Sequence, residues 1–306
     1  MASADARAAT SEAEVREEVR RFYDSVGWRR VGPGVFQNAR YEDLRPVSQE
    51  YIRRCRRRVL RHLRPTGKFL LDGGSGPIQY PEYLEYSAGY RYRLCVDLSA
   101  LALREARDRI GAHGLYLVGD IAHLPLAADF ADGVVSLHTV HHLAPGEQRQ
   151  ALAEMTRVLA PGASAVVVYG WGAGAPIEVW TRLPMRLATS LVRAYARLRH
   201  RGLPAEPAAA GRARSQGQRT FTFKHGYSWL MENTRHLRAN VDVLTWRSVG
   251  TNFMRAFIHD PLMGRAWLRL LYWLEERAPR WFGRFGQYPL IVLRKPSSES
   301  EKRGEG

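Results

Sequence analysis

The stretch KFLLDGGSGPIQY, residues 68–80, decides the fold. Phe69, Leu70 and Leu71 run into Asp72, and Gly73, Gly74 and Gly76 follow at once. Glycines between a short apolar strand and a helix let the backbone approach a ligand that a Cβ would exclude, and the first amides of the helix attract an anion. Toward the C-terminus the chain repeats the theme. YRLCVD (92–97) reads as a second strand, and a helix over 100–110 carries Leu101, Leu103, Ala106 and Ile110. Then come LYLVGD (115–120), GVVSLH (133–138), a helix over 147–159 and SAVVVYGW (164–171). Short apolar strands alternating with helices predict an α/β fold, a doubly wound, mostly parallel sheet covered on both faces.

Toward the N-terminus, Ser48 reads as the cap of a helix over 49–63 that Pro65 and Gly67 stop. Residues 21–46, punctuated by Gly, Pro and Asn, read as loop, and the first twenty as a polar helix or loose tail. Beyond 172, residues 178–203 read as a basic amphipathic helix and 204–217 as a linker. VDVLTWRSVG (241–250) and YPLIVLRKP (288–296) read as two further strands, separated by an Arg- and Trp-bearing helix over 265–285. The expected division is a lid and helix (1–64), an α/β core (65–172), a helical insertion with linker and helix (173–240), two strands around a second insertion (241–296) and a disordered tail (297–306).

Two more acids sharpen the site. Asp97 ends the second strand, where a carboxylate suits a ribose diol, and Asp120 ends the third, where it can face an adenine amino group. With Asp72 they put three acids at successive strand ends, in one crevice. A dinucleotide site needs GxGxxG, and here Gln79 stands in place of the third glycine, which weakens a dehydrogenase reading.

The chain resembles the class I S-adenosylmethionine-dependent methyltransferases over about Lys68 to Trp171. The matching pieces are LLDGGSG, VDLSALALREAR, GDIAHLPLAADFADGVVSLHTVHHL and EMTRVLAPGASAVVV, and their wording is most similar to the branch that includes quinone C-methyltransferases. The resemblance implies a seven-stranded Rossmann-like sheet with the last strand antiparallel, and S-adenosyl-L-methionine as cofactor. It implies that Asp72, Gly74 and Gly76 surround the methionine part, that Asp97 takes the ribose and that Asp120 and Ile121 take the adenine end, with Gly73 and Leu98 also binding the cofactor. Ile78 departs from the pattern, since many members have a third glycine there.

Methyl transfer needs alignment and exclusion of water more than proton chemistry. His138, at the end of the fourth strand, is the candidate catalytic residue, while His141 and His142 read as packing or helix-start residues. No acidic or thiol partner accompanies them, so no metal site is expected. Aromatic faces suit a sulfonium, and Tyr23, Tyr41, Tyr80 and Trp171 are the candidate substrate-side surfaces, with Tyr83 and Tyr86 nearby. Arg45 is a candidate partner for the cofactor carboxylate or for Glu42.

Of the 306 residues 45% are apolar and 25% charged, a globular balance that excludes bulk disorder. The N-terminus lacks the apolar run of a secretory signal, no stretch is long enough to span a bilayer, and Cys55 and Cys95 make no disulfide framework. A cytoplasmic chain is expected. The net charge of +16 is lopsided: residues 1–176 carry +3 and residues 177–296 carry +14, and seven of the eight Trp lie from Trp171 onward. That half suggests an amphipathic or lipid-linked acceptor, and basic helices around 180–198 and 267–281 lying on an anionic membrane at its inner face. The charge also admits a nucleic-acid methyltransferase, though no recognition module or base-chemistry motif is present. A non-catalytic S-adenosylmethionine-binding protein is the other alternative. Oligomeric state is not readable.

Overall fold

The computed structural model describes residues 11–32, 35–172 and 220–297. Its centre is a seven-stranded sheet. The strands are β3 (Gly67–Gly73), β4 (Tyr90–Asp97), β5 (Gly114–Val118), β6 (Gly133–Leu137), β7 (Ser164–Val168), β8 (Asn240–Arg247) and β9 (Tyr288–Arg294). They lie in the order β5-β4-β3-β6-β7-β9-β8, and β9 runs antiparallel to both neighbours. A two-stranded hairpin, β1 (Arg30–Gly32) and β2 (Val35–Phe36), stands apart from it. The expected seven strands and the antiparallel last strand are both present. From β3 the chain winds outward to β5 and then returns to β6 on the other side, so the C-terminal ends of β3 and β6 mark the switch point where doubly wound sheets bind ligands.

The strands form where the sequence is continuously apolar, because both faces are covered. Every residue of β7 is buried, and Val134, Val166, Val167, Leu290 and Val292 are almost without exposure. Among the covering helices are α4 (Ala100–Ile110), started by the Ser99 hydroxyl, which accepts from the Ala102 amide, and α5 (Pro145–Val158), which buries Ala151, Leu152 and Met155.

The N-terminal region is more ordered than its punctuation suggests. Ser11 and Glu14 form a reciprocal capping box that starts α1 (Glu12–Phe22), whose Val15 and Val19 pack with Ala144 and Phe221. A π-helical turn over Tyr23–Gly27 and a 3₁₀ turn over Gln37–Tyr41 occupy the expected loop. The next helix, α2, spans Pro46–Arg57. Ser48 does not cap it. Pro46 occupies its first turn, and the Ser48 hydroxyl lies inside the helix and donates to Asp43 (2.7 Å). The short α3 (Pro81–Leu84) follows the glycine segment.

After α6 (Tyr227–Asn233), the second insertion resolves into α7 (Thr251–Phe257), α8 (Gly264–Arg277) and α9 (Pro279–Phe285) rather than one helix. It is pinned by Glu275, a buried carboxylate of α8 that meets Arg58 at 2.9 Å and accepts from the Tyr51 hydroxyl and from the amide and hydroxyl of Ser248. The expected helix around 180–198 and the linker over 204–217 lie outside the described residues.

Arg93 is the feature least expected in a central strand. It has no exposed surface, pairs with Asp72 at 2.5 Å and donates to the Tyr83 carbonyl. Its removal leaves a carboxylate uncompensated in the core, so Arg93→Met should lower stability by about 3–5 kcal/mol in urea denaturation. Adding Asp72→Asn should recover part of that loss, because the stranded charge goes with it.

Candidate active site

The glycine segment turns back on itself through three left-handed residues, Gly74 (φ 70°), Gly76 (φ 56°) and Ile78 (φ 53°). At the two glycines a side chain has no room. A Cβ on Gly74 would sit 2.1 Å from Thr139 Cγ2, and one on Gly76 would sit 3.0 Å from the Trp28 ring. Ile78 holds the same backbone conformation with a branched side chain, fully buried, and Arg109 donates to its carbonyl at 2.7 Å. The expected departure at this position thus leaves the left-handed turn in place, at a conformational cost.

Asp97 ties this loop to the next strand. One carboxylate oxygen accepts from the Gly76 amide and the other from the Ser99 amide, each at 2.8 Å. Desolvation in the crevice, with Asp72 and Asp24 adding like charge, pushes its carboxyl up to about 6. Asp120 accepts from the Ala122 amide (2.8 Å) and from Arg16 (2.9 Å), which also reaches Glu147 at 2.7 Å. Helix α1 is thereby clamped across the third strand end. Asp72 is buried behind the loop, where Arg93 holds one of its oxygens.

These groups open into one cavity of about 700 Å³. Asp72, Gly74, Gly76, Asp97, Leu98, Asp120 and Ile121 line it, as do His138, Tyr23, Tyr41 and Tyr80. Gly73 is not on the wall but ends β3 directly behind it, and a Cβ there would touch Ile121 at 3.2 Å. Trp171 does not line the cavity: it is buried in the core, its indole N–H donating to the Gly283 carbonyl (2.8 Å). Tyr86 is likewise core, donating to the Arg56 carbonyl. Arg45 is not on the cavity wall and does not pair with Glu42; it pairs with Asp43 and donates to the Met254 carbonyl.

The far end of the cavity is aromatic and cationic. His138 stands in the left-handed region (φ 58°) with its ring 4.8 Å from Trp246 and 5.5 Å from Tyr288. Desolvation first, then the charges of Arg247 and Lys224, push its imidazolium down to about 3, so it is neutral near pH 7 and a poor base. His142 is more than packing. Its Nδ1 lies 2.8 Å from the Phe221 carbonyl, so the proton sits there and Nε2 accepts from the Tyr23 hydroxyl, also at 2.8 Å. Tyr23 stacks on Trp28, and Trp28 covers Gly76. Arg247 is buried and meets Glu42 at 2.6 Å, with its Nε unpartnered. Arg16, Trp28, His142, Glu42 and Arg247 were not legible as site residues, since each acts through partners far away in sequence. Among the described residues no group of side chains is arranged to hold a metal ion.

The cradle fits an adenosyl sulfonium cofactor: two glycines leave room for its backbone contacts, Asp97 faces the volume for a diol, and the cavity volume lies within the ~300–1,000 Å³ usual for small-molecule sites. Residues 71–167 match the family model described as a methyltransferase domain. Over that span the chain carries a methyltransferase domain with S-adenosylmethionine as its cofactor. No curated protein matches this methyltransferase in sequence. Solved structures share its fold. Phosphoethanolamine N-methyltransferase 1 of Haemonchus contortus is 14% identical with a TM-score of 0.55, covering 94% of this chain and 51% of that one. Geranyl diphosphate C-methyltransferase of Streptomyces coelicolor is 15% identical with a TM-score of 0.51, covering 94% and 99%. The cyclase SpnF is 16% identical with a TM-score of 0.50, covering 93% of each. At such identity the likeness establishes the fold, and the presence of a cyclase shows why the chemistry must come from the site.

Two outcomes check this geometry. Gly74→Ala should abolish S-adenosylhomocysteine binding in calorimetry while the protein keeps its circular dichroism, because the methyl group strikes Thr139 in a left-handed backbone. For Asp97 the ionised form is the one that accepts from a diol, so affinity should be full above about pH 6 and fall by up to about tenfold per pH unit below it. Asp97→Asn should flatten that profile and weaken binding by about 1.5–3 kcal/mol.

Proposed function

We propose that the enzyme methylates a small amphipathic acceptor bound at the far end of the cavity, against His138, Tyr288, Tyr41 and Tyr80. The observation that carries this reading is the continuity of one cavity from the three acids to that aromatic, cationic wall. S-adenosylmethionine, when bound, supplies an electrophilic methyl group on a sulfonium. The chain's own part is alignment and exclusion of water: Tyr23 and Trp28 close over the glycine loop, and the Arg16 clamp holds α1 against the adenine end. His138, neutral and held edge-on to Trp246 and Tyr288, orients the acceptor. The rings on the wall and the Arg247 guanidinium suit an acceptor with an unsaturated or ring-bearing body and a polar or anionic head. The likeness of residues 68–171 to the quinone C-methyltransferase branch supports an acceptor of that kind. A cavity of about 700 Å³ is of small-molecule size, which favours such a molecule over a nucleic acid despite the positive charge.

The test has two parts. Incubation of the protein with methyl-labelled S-adenosylmethionine and a lipid extract should yield S-adenosylhomocysteine and a labelled organic-soluble product, whereas label recovered in RNA would replace this reading with the nucleic-acid one. Production of no S-adenosylhomocysteine from any extract, by protein that binds the cofactor, would leave a binding protein. With the acceptor in hand, His138→Ala should reduce kcat by roughly tenfold or more while leaving S-adenosylhomocysteine affinity nearly unchanged. The wild-type pH–rate profile should show no histidine ionisation near neutrality, because His138 is held neutral well below it.

A further inference from the structure

Helix α8 carries two apolar stripes where a surface helix needs one. Its inner stripe, Leu268 and Tyr272 with Glu275, is buried against Tyr51 and Cys55 of α2 and Met254 of α7. Met263 caps the start of the helix, and the outer stripe that follows it, Trp267, Leu270 and Leu274, is spaced i, i+3, i+7 and therefore shares one face. Those four residues are 71, 58, 44 and 39% exposed, and Leu262, Trp273 and Trp281 beside them are 64, 48 and 53% exposed. An apolar face of that continuity marks a docking surface.

The charges around it select the occupant. Arg265, Arg269, Arg277, Arg280 and Arg284 of the insertion are exposed, as are Arg53 and Arg54 of the neighbouring α2. Four acids stand on this surface: Asp260, Glu50 and Asp242 make exposed pairs with Arg265, Arg269 and Arg280 that are weak in water, and Glu276 of α8 is taken up by Arg58 and Arg61. Arg277 lies 4.5 Å over the Trp273 ring, the pairing of a cation with an aromatic that suits a headgroup layer. A second copy of the chain would set this arginine ring against its own like charge, whereas an anionic bilayer complements both the apolar stripe and its rim.

We propose that α8 and the start of α9 dock in the plane of an anionic membrane, with Trp267, Leu270, Leu274 and Trp281 entering the interface. The helix lies on the bilayer and does not cross it; among the described residues no helix is long and apolar enough to span. The site is reached from the same insertion, since α7 holds the backbone of the cavity residues Tyr41 and Glu42: Thr251 donates to the Tyr41 carbonyl and Arg255 to the Glu42 carbonyl. The docking claim stands on surface residues alone and does not depend on the acceptor.

The experiment is co-sedimentation of the full chain with vesicles of phosphatidylcholine alone or with phosphatidylserine, at low and high salt, with Trp fluorescence read in parallel. Binding should require phosphatidylserine, weaken with salt and shift Trp emission to the blue. The double variant Trp267→Ser/Leu270→Ser should lose at least about tenfold in vesicle affinity, since each removes an inserting side chain. Its melting temperature and S-adenosylhomocysteine affinity should stay unchanged, because both residues face outward. No binding to phosphatidylserine vesicles at low salt overturns the proposal. So does binding that the double variant retains, and so does a concentration-dependent dimer in sedimentation velocity that the double variant abolishes.

Discussion

The Gly76 amide bonded to the Asp97 carboxylate is the contact on which the site depends. It ties the left-handed turn after β3 to the end of β4, and so fixes where the loop backbone stands relative to the cavity. A turn of this hand is open to glycine and costly to other residues, and Ile78 bears that cost under full burial. Behind the turn, Arg93 and Asp72 hold the same two strands together from within the core. The loop is therefore placed by the sheet and needs little help from the ligand, as preorganised binding requires.

Around that fixed loop the mobile-looking parts of the sequence become walls. The N-terminal segment supplies α1, Tyr23 and Trp28, which reach the glycine loop and the third strand end through His142 and Asp120. The opposite wall is held by Arg247 at the end of β8, paired with Glu42 of the N-terminal segment, and by the second insertion through the hydrogen bonds from α7 to residues 41 and 42. Substrate choice on such a scaffold lies with these additions, while the sheet carries the cofactor. One insertion thus both closes the cavity and presents the arginine-ringed apolar face of α8, which couples the site to a surface.

The strands were legible because strands buried on both faces leave continuous apolar runs, as in SAVVV and PLIVL. The acids at 72, 97 and 120 were legible because their positions, not their type, are unusual. Charge pairs across the fold were not. Arg93 in the middle of a strand reads as an exposed residue until Asp72 is seen beside it, and Arg16 meets Asp120 across 104 positions that no local pattern connects. Trp171 failed for the opposite reason: an aromatic at a strand end was read as a site surface, and its indole had a carbonyl to satisfy in the core. Arg45, left open between two candidates, pairs with Asp43 two residues away rather than with Glu42.

The most direct measurement of the central claim is hydrogen–deuterium exchange with and without S-adenosylhomocysteine. The account predicts added protection in peptides covering residues 72–79, 97–99 and 119–122, and in α1, because the ligand would lie between the glycine loop, the two acids and the Arg16 clamp. Unchanged exchange in those peptides in the presence of saturating ligand, or protection confined to other parts of the chain, would contradict it.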